Sequence, residues 1–164
     1  DSDTGLSLRS KLADSCVPLI ERSFDKLISE GIILNEQVEA EATYCRRLVK
    51  EDGSLDFSMS AVELFKRIQA FSYWPRCSFL YEDQVIKVGL AQYAASVLDE
   101  TVSVGTVISI DSSGVSVVTG QGVLVLTELQ RPGGKMLPVS DFLRGFSILE
   151  GSVLASALVE PLVK

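Results

Sequence analysis

The sequence pattern of this chain changes after Pro75, from apolar residues at helical spacing to short apolar runs, and this change restricts the fold more than any other feature. Short runs of β-branched and aromatic residues follow, separated by Gly, Ser and Asp, at 77–81, 85–92, 105–110, 115–119 and 123–129. Turn-forming residues lie between several runs, at 82–83, 111–114 and 120–122. Five or six short antiparallel strands are too few for an immunoglobulin-like sandwich, and closing them on themselves removes exposed edges. The pattern predicts a mainly β domain with some α structure, built on a small OB-like barrel that is closed or partly open.

A capped helix is predicted immediately before the strands. Ser60 and Glu63 have the spacing of a capping box, and apolar residues follow at helical spacing as far as the break at Tyr73-Trp74-Pro75. Four aromatic residues surround that break, and we expect them to pack in the core rather than to stack on bases. They are Phe71, Tyr73, Trp74 and Phe79. A short helical turn is predicted at 140–144, and the pattern of residues 152–164 predicts nothing definite.

The chain divides into three parts by composition. Residues 1–30 place apolar residues three and four apart, which predicts a helix that Pro18 kinks or splits. Residues 31–58 lose this period and are rich in charge, which indicates a linker before a barrel domain at 59–164. Because the first residues are polar and no leader is visible, we interpret the chain as a piece of a longer protein.

The absence of His excludes several kinds of catalytic site. A Ser-His-Asp or Cys-His arrangement, a His acid or base and a Cys/His zinc site all require it. The three Cys residues contain no CxxC pair, so we expect reduced cytosolic thiols. The carboxylate pairs Glu51-Asp52, Glu82-Asp83 and Asp99-Glu100 lie in polar stretches, so solvated charges are favoured over a catalytic dyad. No catalytic or metal-binding residue is predicted.

Basic residues are grouped in and around the predicted barrel. The groups are Arg46, Arg47 and Lys50, then Lys66 and Arg67, then Arg76, then Arg131 and Lys135. Arg46 and Lys50 would share a face if that stretch were helical. The net charge of -7 and a pI near 4.6 favour an ordinary solvated surface over a nucleic-acid footprint.

A series of motifs in order along the chain resembles the linker and C-terminal domain of the methionyl-tRNA formyltransferase family. The series is strong because its members follow one another in the family's order. It comprises 42–52, Leu55-Asp56-Phe57, Ile68-Gln69-Ala70-Phe71, Tyr73-Trp74-Pro75-Arg76, 85–88, 104–108, 119–124, 129–135, 141–145 and Gly151. Residues 3–5 with Lys11-Leu12 look like the last helix of the family's catalytic domain.

The resemblance implies a part of a two-domain enzyme that transfers a formyl group from 10-formyltetrahydrofolate to the α-amine of methionyl initiator tRNA. The family's catalytic Asn, His and Asp lie in an N-terminal domain, so the segment alone is expected to be inactive and to hold no cofactor. The implied partners are initiator methionyl-tRNA and that catalytic domain, with a monomeric state, a cytoplasmic location and no membrane. The tRNA contacts that the resemblance implies are Arg46, Arg47, Lys50, Arg131, Lys135 and Arg144. Further candidate contacts among the basic residues are Lys66, Arg67, Arg76 and Lys87.

Two alternatives stay open beside this interpretation. The chain could be the equivalent region of a related folate-dependent enzyme, either a sugar-amine formyltransferase or a formyl-folate hydrolase. It could also be a non-catalytic barrel that binds other proteins, which the acidic net charge suits.

Overall fold

Antiparallel β-sheets form the centre of the molecule, as the short β-branched and aromatic runs predict. A computed structural model describes residues 3–29, 31, 35–94 and 101–163, and within these residues eight strands form two four-stranded sheets. The strands are β1 (Cys77–Tyr81), β2 (Gln84–Val88), β3 (Ala91–Ala94), β4 (Val107–Asp111), β5 (Gly114–Val118), β6 (Val123–Leu126), β7 (Glu128–Gln130) and β8 (Leu137–Pro138). The helices are α1 (Gly5–Ser29), α2 (Ala61–Ala70), α3 (Val139–Phe142) and two 3₁₀ helices at Glu39–Glu41 and Lys50–Gly53.

The strand order is β1-β2-β7-β8 in the first sheet and β3-β6-β5-β4 in the second. The chain passes from one sheet to the other at a corner, where Gly89 N–H donates to the Glu128 carbonyl and Thr127 N–H to the Leu90 carbonyl. The predicted run at 85–92 is therefore two strands, β2 and β3, separated by this corner. The predicted hairpin turns at 82–83, 111–114 and 120–122 are confirmed, since each joins two antiparallel neighbours.

The tail after Gly151 connects the outer strands of the two sheets. Val107 N–H donates to the Ser152 carbonyl and Leu154 N–H to the Gly105 carbonyl, at the start of β4. Ala155 N–H then donates to the Leu80 carbonyl of β1 at 3.3 Å. The mixed fold class is confirmed, and this arrangement of sheets, corner and tail is consistent with a small barrel-like β domain.

The predicted capping box begins α2. Ser60 Oγ accepts a hydrogen bond from Glu63 N–H, and Glu63 Oε2 accepts one from Ser60 N–H. The helix packs Leu64 and Ile68 into the core, and two residues of the predicted linker, Leu55 and Phe57, are buried with them.

The prediction for the aromatic corner is half wrong. Phe71 and Phe79 are buried as expected, but Tyr73 and Trp74 are exposed. The reason is that α2 ends at Ala70, and the turn that follows carries the next side chains outward while Phe71 and Phe79 fill the space beneath.

Helix α1 runs without interruption from Gly5 to Ser29, so the predicted split at Pro18 is wrong. Proline removes one backbone donor, and the hydrogen bonds on either side continue the helix. The start of the helix touches the end of α2, where Gly5 lies against the Ala70 carbonyl. The apolar stripe of α1 is exposed and has no partner among the described residues. None of the described helices is both long enough and apolar enough to span a bilayer.

Candidate nucleic-acid interface

A buried ion pair joins Arg46 to Asp52. Asp52 is only 2% exposed, and its oxygens accept from Arg46 Nη1 at 2.9 Å and Nη2 at 2.5 Å. Val49 N–H donates to the same carboxylate at 2.7 Å. The prediction that the Glu51-Asp52 pair is solvated is therefore wrong for Asp52, because a charged partner and a backbone donor satisfy it. Glu51, with Glu82 and Asp83, is exposed as expected; Asp99-Glu100 lies outside the described residues.

Arg67 strengthens the same cluster from α2. Its Nε and Nη2 donate to the Asp52 carbonyl at 3.2 and 2.6 Å, and its guanidinium lies 5.0 Å from the centre of the Phe71 ring. Arg46 also donates to the carbonyls of Glu160 and Pro161 in the tail. The guanidinium groups of Arg46 and Arg67 thus connect the linker, α2 and the tail.

The ion pair makes the stability of the fold depend on pH. Hydrogen bonds from Arg46 and from Val49 N–H hold the pKa of Asp52 at about 2, below its ordinary 3.8. A depressed carboxyl pKa contributes stability above the unfolded value, and this stability is lost as the pH falls through the folded value. The window for Asp52 therefore lies between pH 3.8 and about 2.

We expect Asp52→Asn to be less stable than the wild type at neutral pH and to lose the Asp52 contribution to acid unfolding. The difference between the two urea midpoints should be constant above pH 4 and should shrink towards pH 2. Circular dichroism at a series of pH values measures it, and Glu51→Gln, at the exposed neighbour, is the control. If the difference between the two urea midpoints stayed constant down to pH 2, the lowered pKa of Asp52 would be wrong.

Four basic residues lie on the first sheet or in the segments that adjoin its strands. Ser78, Lys87 and Gln130 are register partners on β1, β2 and β7, and the adjoining register pairs on these strands point into the core. Lys87 is exposed at the middle of the sheet, about 5 Å from each neighbouring strand. Arg76 directly precedes β1 and Arg131 directly follows β7, the two strands that flank β2, and Arg131 Nη1 donates to the Gly145 carbonyl at 3.5 Å. We call Arg76, Lys87, Arg131 and Lys135 the cationic row.

One end of the cationic row adjoins the linker. A Cβ at Gly53 would overlap the carbonyl oxygen of Arg76, so only glycine allows this approach. Leu55 N–H donates to the Ser78 carbonyl and extends the contact along β1. Lys50 begins the 3₁₀ helix that ends at Gly53. The stretch before Lys50 is not helical, so Arg46 and Lys50 do not share a helical face.

The other end of the cationic row lies at a groove between the β7–β8 turn and α3. The groove has a volume of about 290 Å³, an apolar floor and a charged rim. Its lining residues are Arg131, Gly134, Lys135, Leu137, Asp141, Phe142 and Gly145. Gln130 Nε2 donates to the Gly134 carbonyl at 2.6 Å and orders the turn, while Arg144 forms an exposed ion pair with Asp141 at 3.1 Å.

The remaining predicted contacts lie apart from the cationic row. Arg47 is exposed in the linker, next to the buried pair. Lys66 is exposed on α2, which packs against β3 and β6 of the second sheet, and no register joins it to the cationic row. The structure thus carries Arg76, Lys87, Arg131 and Lys135 on β2 or in the segments that adjoin β1 and β7, and bonds Arg46 and Arg67 internally.

The described residues contain no cluster of three or more His, Cys, Asp or Glu side chains that could hold a metal ion. Burial raises the pKa of Cys77 to about 12, which keeps this thiol protonated, and Cys16 and Cys45 are exposed free thiols. Sequence reasoning missed the groove because its walls come from residues that no local pattern links.

Comparison with known proteins agrees with the resemblance found in the sequence. The family described as formyl transferase, C-terminal domain, matches residues 47–147, which run from the linker through all eight described strands and α3. A methionyl-tRNA formyltransferase from Delftia acidovorans (strain DSM 14801 / SPH-1) is 37% identical over 155 residues, which are 94% of this chain and 47% of the relative. The chain thus spans about half the length of the curated relative. It belongs to the family of formyl transferase C-terminal domains.

Proposed function

We propose that this chain is the tRNA-binding part of a methionyl-tRNA formyltransferase. The parent enzyme would transfer a formyl group from 10-formyltetrahydrofolate to the α-amine of methionyl initiator tRNA, and the chemistry would take place in a catalytic domain upstream. This segment would hold no cofactor and would be inactive alone. The proposal includes a monomeric state and a cytoplasmic location. The similarity to a methionyl-tRNA formyltransferase supports the activity, and the cationic row supports the role of this part.

The cationic row is the observation that carries the binding role. Phosphate contacts from Lys and Arg fix the position and orientation of a nucleic acid without reading its sequence. Holding the acceptor arm in one orientation would bring the amine near the formyl donor and so raise the rate of transfer. The net charge of -7 opposes binding at long range. At physiological salt the Debye length is about 8 Å, so the local charge of the row acts with little interference from distant carboxylates.

The organisation of the parent enzyme follows from α1. An amphipathic helix needs a partner for its apolar face, and the stripe of α1 has none among the described residues. In the proposal, residues 1–30 are the last helical part of the catalytic domain and this stripe packs against it. Residues 31–58 are the linker, and residues 59–164 are the barrel domain.

The salt dependence of tRNA binding tests the proposal. In a filter-binding series, combining Lys87→Ala, Arg131→Ala and Lys135→Ala should make the negative slope of log affinity against log salt shallower by about 2 to 3, because each lost phosphate contact removes about 0.7 to 0.9 from its magnitude.

The matched control removes three cations of α1 instead, with Arg9→Ala, Arg22→Ala and Lys26→Ala. It changes the net charge equally, and these residues are exposed and remote in sequence from the sheet. Its slope should stay at the wild-type value. A local phosphate-binding role would be refuted if the wild type and both triple variants had the same salt slope. It would also be refuted if the two triple variants reduced the slope equally.

A further inference from the structure

Two consecutive aromatic side chains are exposed where α2 turns into β1. Tyr73 is 66% exposed and Trp74 is 50% exposed, although both are large and mostly apolar. Neither takes part in the ring contacts of the described residues, which involve Phe57, Phe65, Phe79, Tyr81, Tyr93, Phe142 and Phe146. We call Tyr73 and Trp74 the aromatic platform.

The aromatic platform is held by anchors on both sides. Phe71 precedes it and Cys77 follows it, and both side chains are buried in the core. Phe71 N–H also donates to the Arg67 carbonyl at 2.9 Å, which continues the bonding of α2 into the turn. On the other side, the Arg76 carbonyl packs against Gly53. The turn that carries the two rings is therefore held on both sides. A ligand that binds them would not have to order a flexible loop, so this part of the cost of binding is small.

The charges around the aromatic platform indicate what it binds. Arg76 lies two residues beyond Trp74, and Lys50 begins the 3₁₀ helix whose last residue, Gly53, packs against the Arg76 carbonyl. Aromatic faces beside cations are the combination that binds single-stranded nucleic acids, because the rings stack on bases while the cations hold the phosphates. A duplex conceals its base faces by stacking them on one another, so this surface is suited to unpaired nucleotides.

We infer that Tyr73 and Trp74 stack on unpaired bases of the bound RNA at the Arg76 end of the cationic row. The inference rests on the proposed function, since it specifies which part of an RNA meets this end of the interface. The alternative occupant is another protein surface, such as the catalytic domain of the parent enzyme. The flanking cations favour RNA over such a surface.

The fluorescence of the whole 164-residue chain tests the inference directly, because Trp74 is its one tryptophan. A short single-stranded oligoribonucleotide should quench the emission of Trp74, after correction for absorbance. A hairpin duplex of the same composition should quench it much less. Equal quenching by both RNAs, or by neither, would overturn the inference.

Binding of labelled oligoribonucleotides, followed by anisotropy, provides the second readout. Trp74→Ala should weaken single-strand binding about five- to a hundredfold and change duplex binding less than about twofold. Trp74→Phe keeps a ring and should recover most of the lost affinity. Tyr44→Ala, at an exposed aromatic residue in the linker, should bind as the wild type does.

The outcomes separate this inference from the proposed function. An unchanged single-strand affinity in Trp74→Ala, with a wild-type salt slope for tRNA, overturns the stacking role and leaves the cationic row intact. A catalytic domain that shifts Trp74 emission when RNA does not would assign the aromatic platform to a protein contact and overturn the inference as well. If the two triple variants had the same salt slope for tRNA binding, the proposed function would be refuted instead.

Discussion

Phe57→Ala is expected to lower the free energy of unfolding by about 3–5 kcal/mol, the loss typical of a large aromatic side chain removed from a packed core. Phe57 is fully buried, and its ring meets that of Phe79 edge to face at 6.4 Å between centroids. Its N–H donates to Ser156 Oγ and its carbonyl accepts from Gly120 N–H, so the backbone is fixed and cannot collapse easily into the cavity. Urea unfolding followed by circular dichroism measures the loss.

Phe24→Ala is the matched control, since it removes the same atoms from the exposed face of α1. We expect its effect to stay within about 0.5 kcal/mol. Similar losses in the two variants would show that α1 shares the core of the sheets. No loss at Phe57 would show that the segment around Leu55 and Phe57 does not belong to the core.

The second large effect is expected in the tail. Leu154→Ala should cost about 2–5 kcal/mol of unfolding free energy, whereas Leu158→Ala should change it by less than about 0.5 kcal/mol. The two leucines are four positions apart, but Leu154 is 1% exposed and Leu158 is 96% exposed. The buried one packs in the main core beside the strands that the tail connects.

Denaturation midpoints of the two leucine variants decide whether the tail is structural. The m-values should match the wild type if the native fold is retained, so that the midpoints report stability alone. Comparable midpoints for Leu154→Ala and the wild type would mean that the tail lies on the sheets without stabilising them. The buried position of Leu154 leads us to expect the opposite.

Features set by neighbours in sequence could be predicted from the residues alone. The capping box at Ser60 and Glu63 needs only two residues three positions apart, and the structure contains both of its hydrogen bonds. The hairpin at Glu82-Asp83 needs two residues that tolerate positive φ, and both have it, at 46° and 61°.

Contacts between distant parts of the chain could not be predicted in this way. Asp52 has the same local surroundings as a solvated carboxylate, and its burial depends on Arg46, Arg67 and the tail carbonyls. The cationic row likewise depends on the order of strands in the sheet, which places β7 next to β2. A pattern confined to one segment contains no information on such pairs.

The aromatic corner shows a different limit. Apolar side chains usually fill cores, but much of a folded surface is also apolar, so the type of a residue does not fix its burial. Phe71 and Phe79 are buried in the core, whereas Tyr73 and Trp74, from the same corner, lie at the surface. The failure of the burial prediction at these two positions is what identified the aromatic platform.

The way the linker and the tail pair has a mechanical consequence. Cys45 and Val163 form an antiparallel bridge, and Arg46 N–H donates to the Leu162 carbonyl beside it at 3.0 Å. Tension applied between positions 45 and 163 would break these backbone contacts one after another, starting from the Cys45–Val163 bridge. The ion pair between Arg46 and the buried Asp52 would be loaded next. The strands of both sheets would bear no load until the Arg46–Asp52 ion pair had broken.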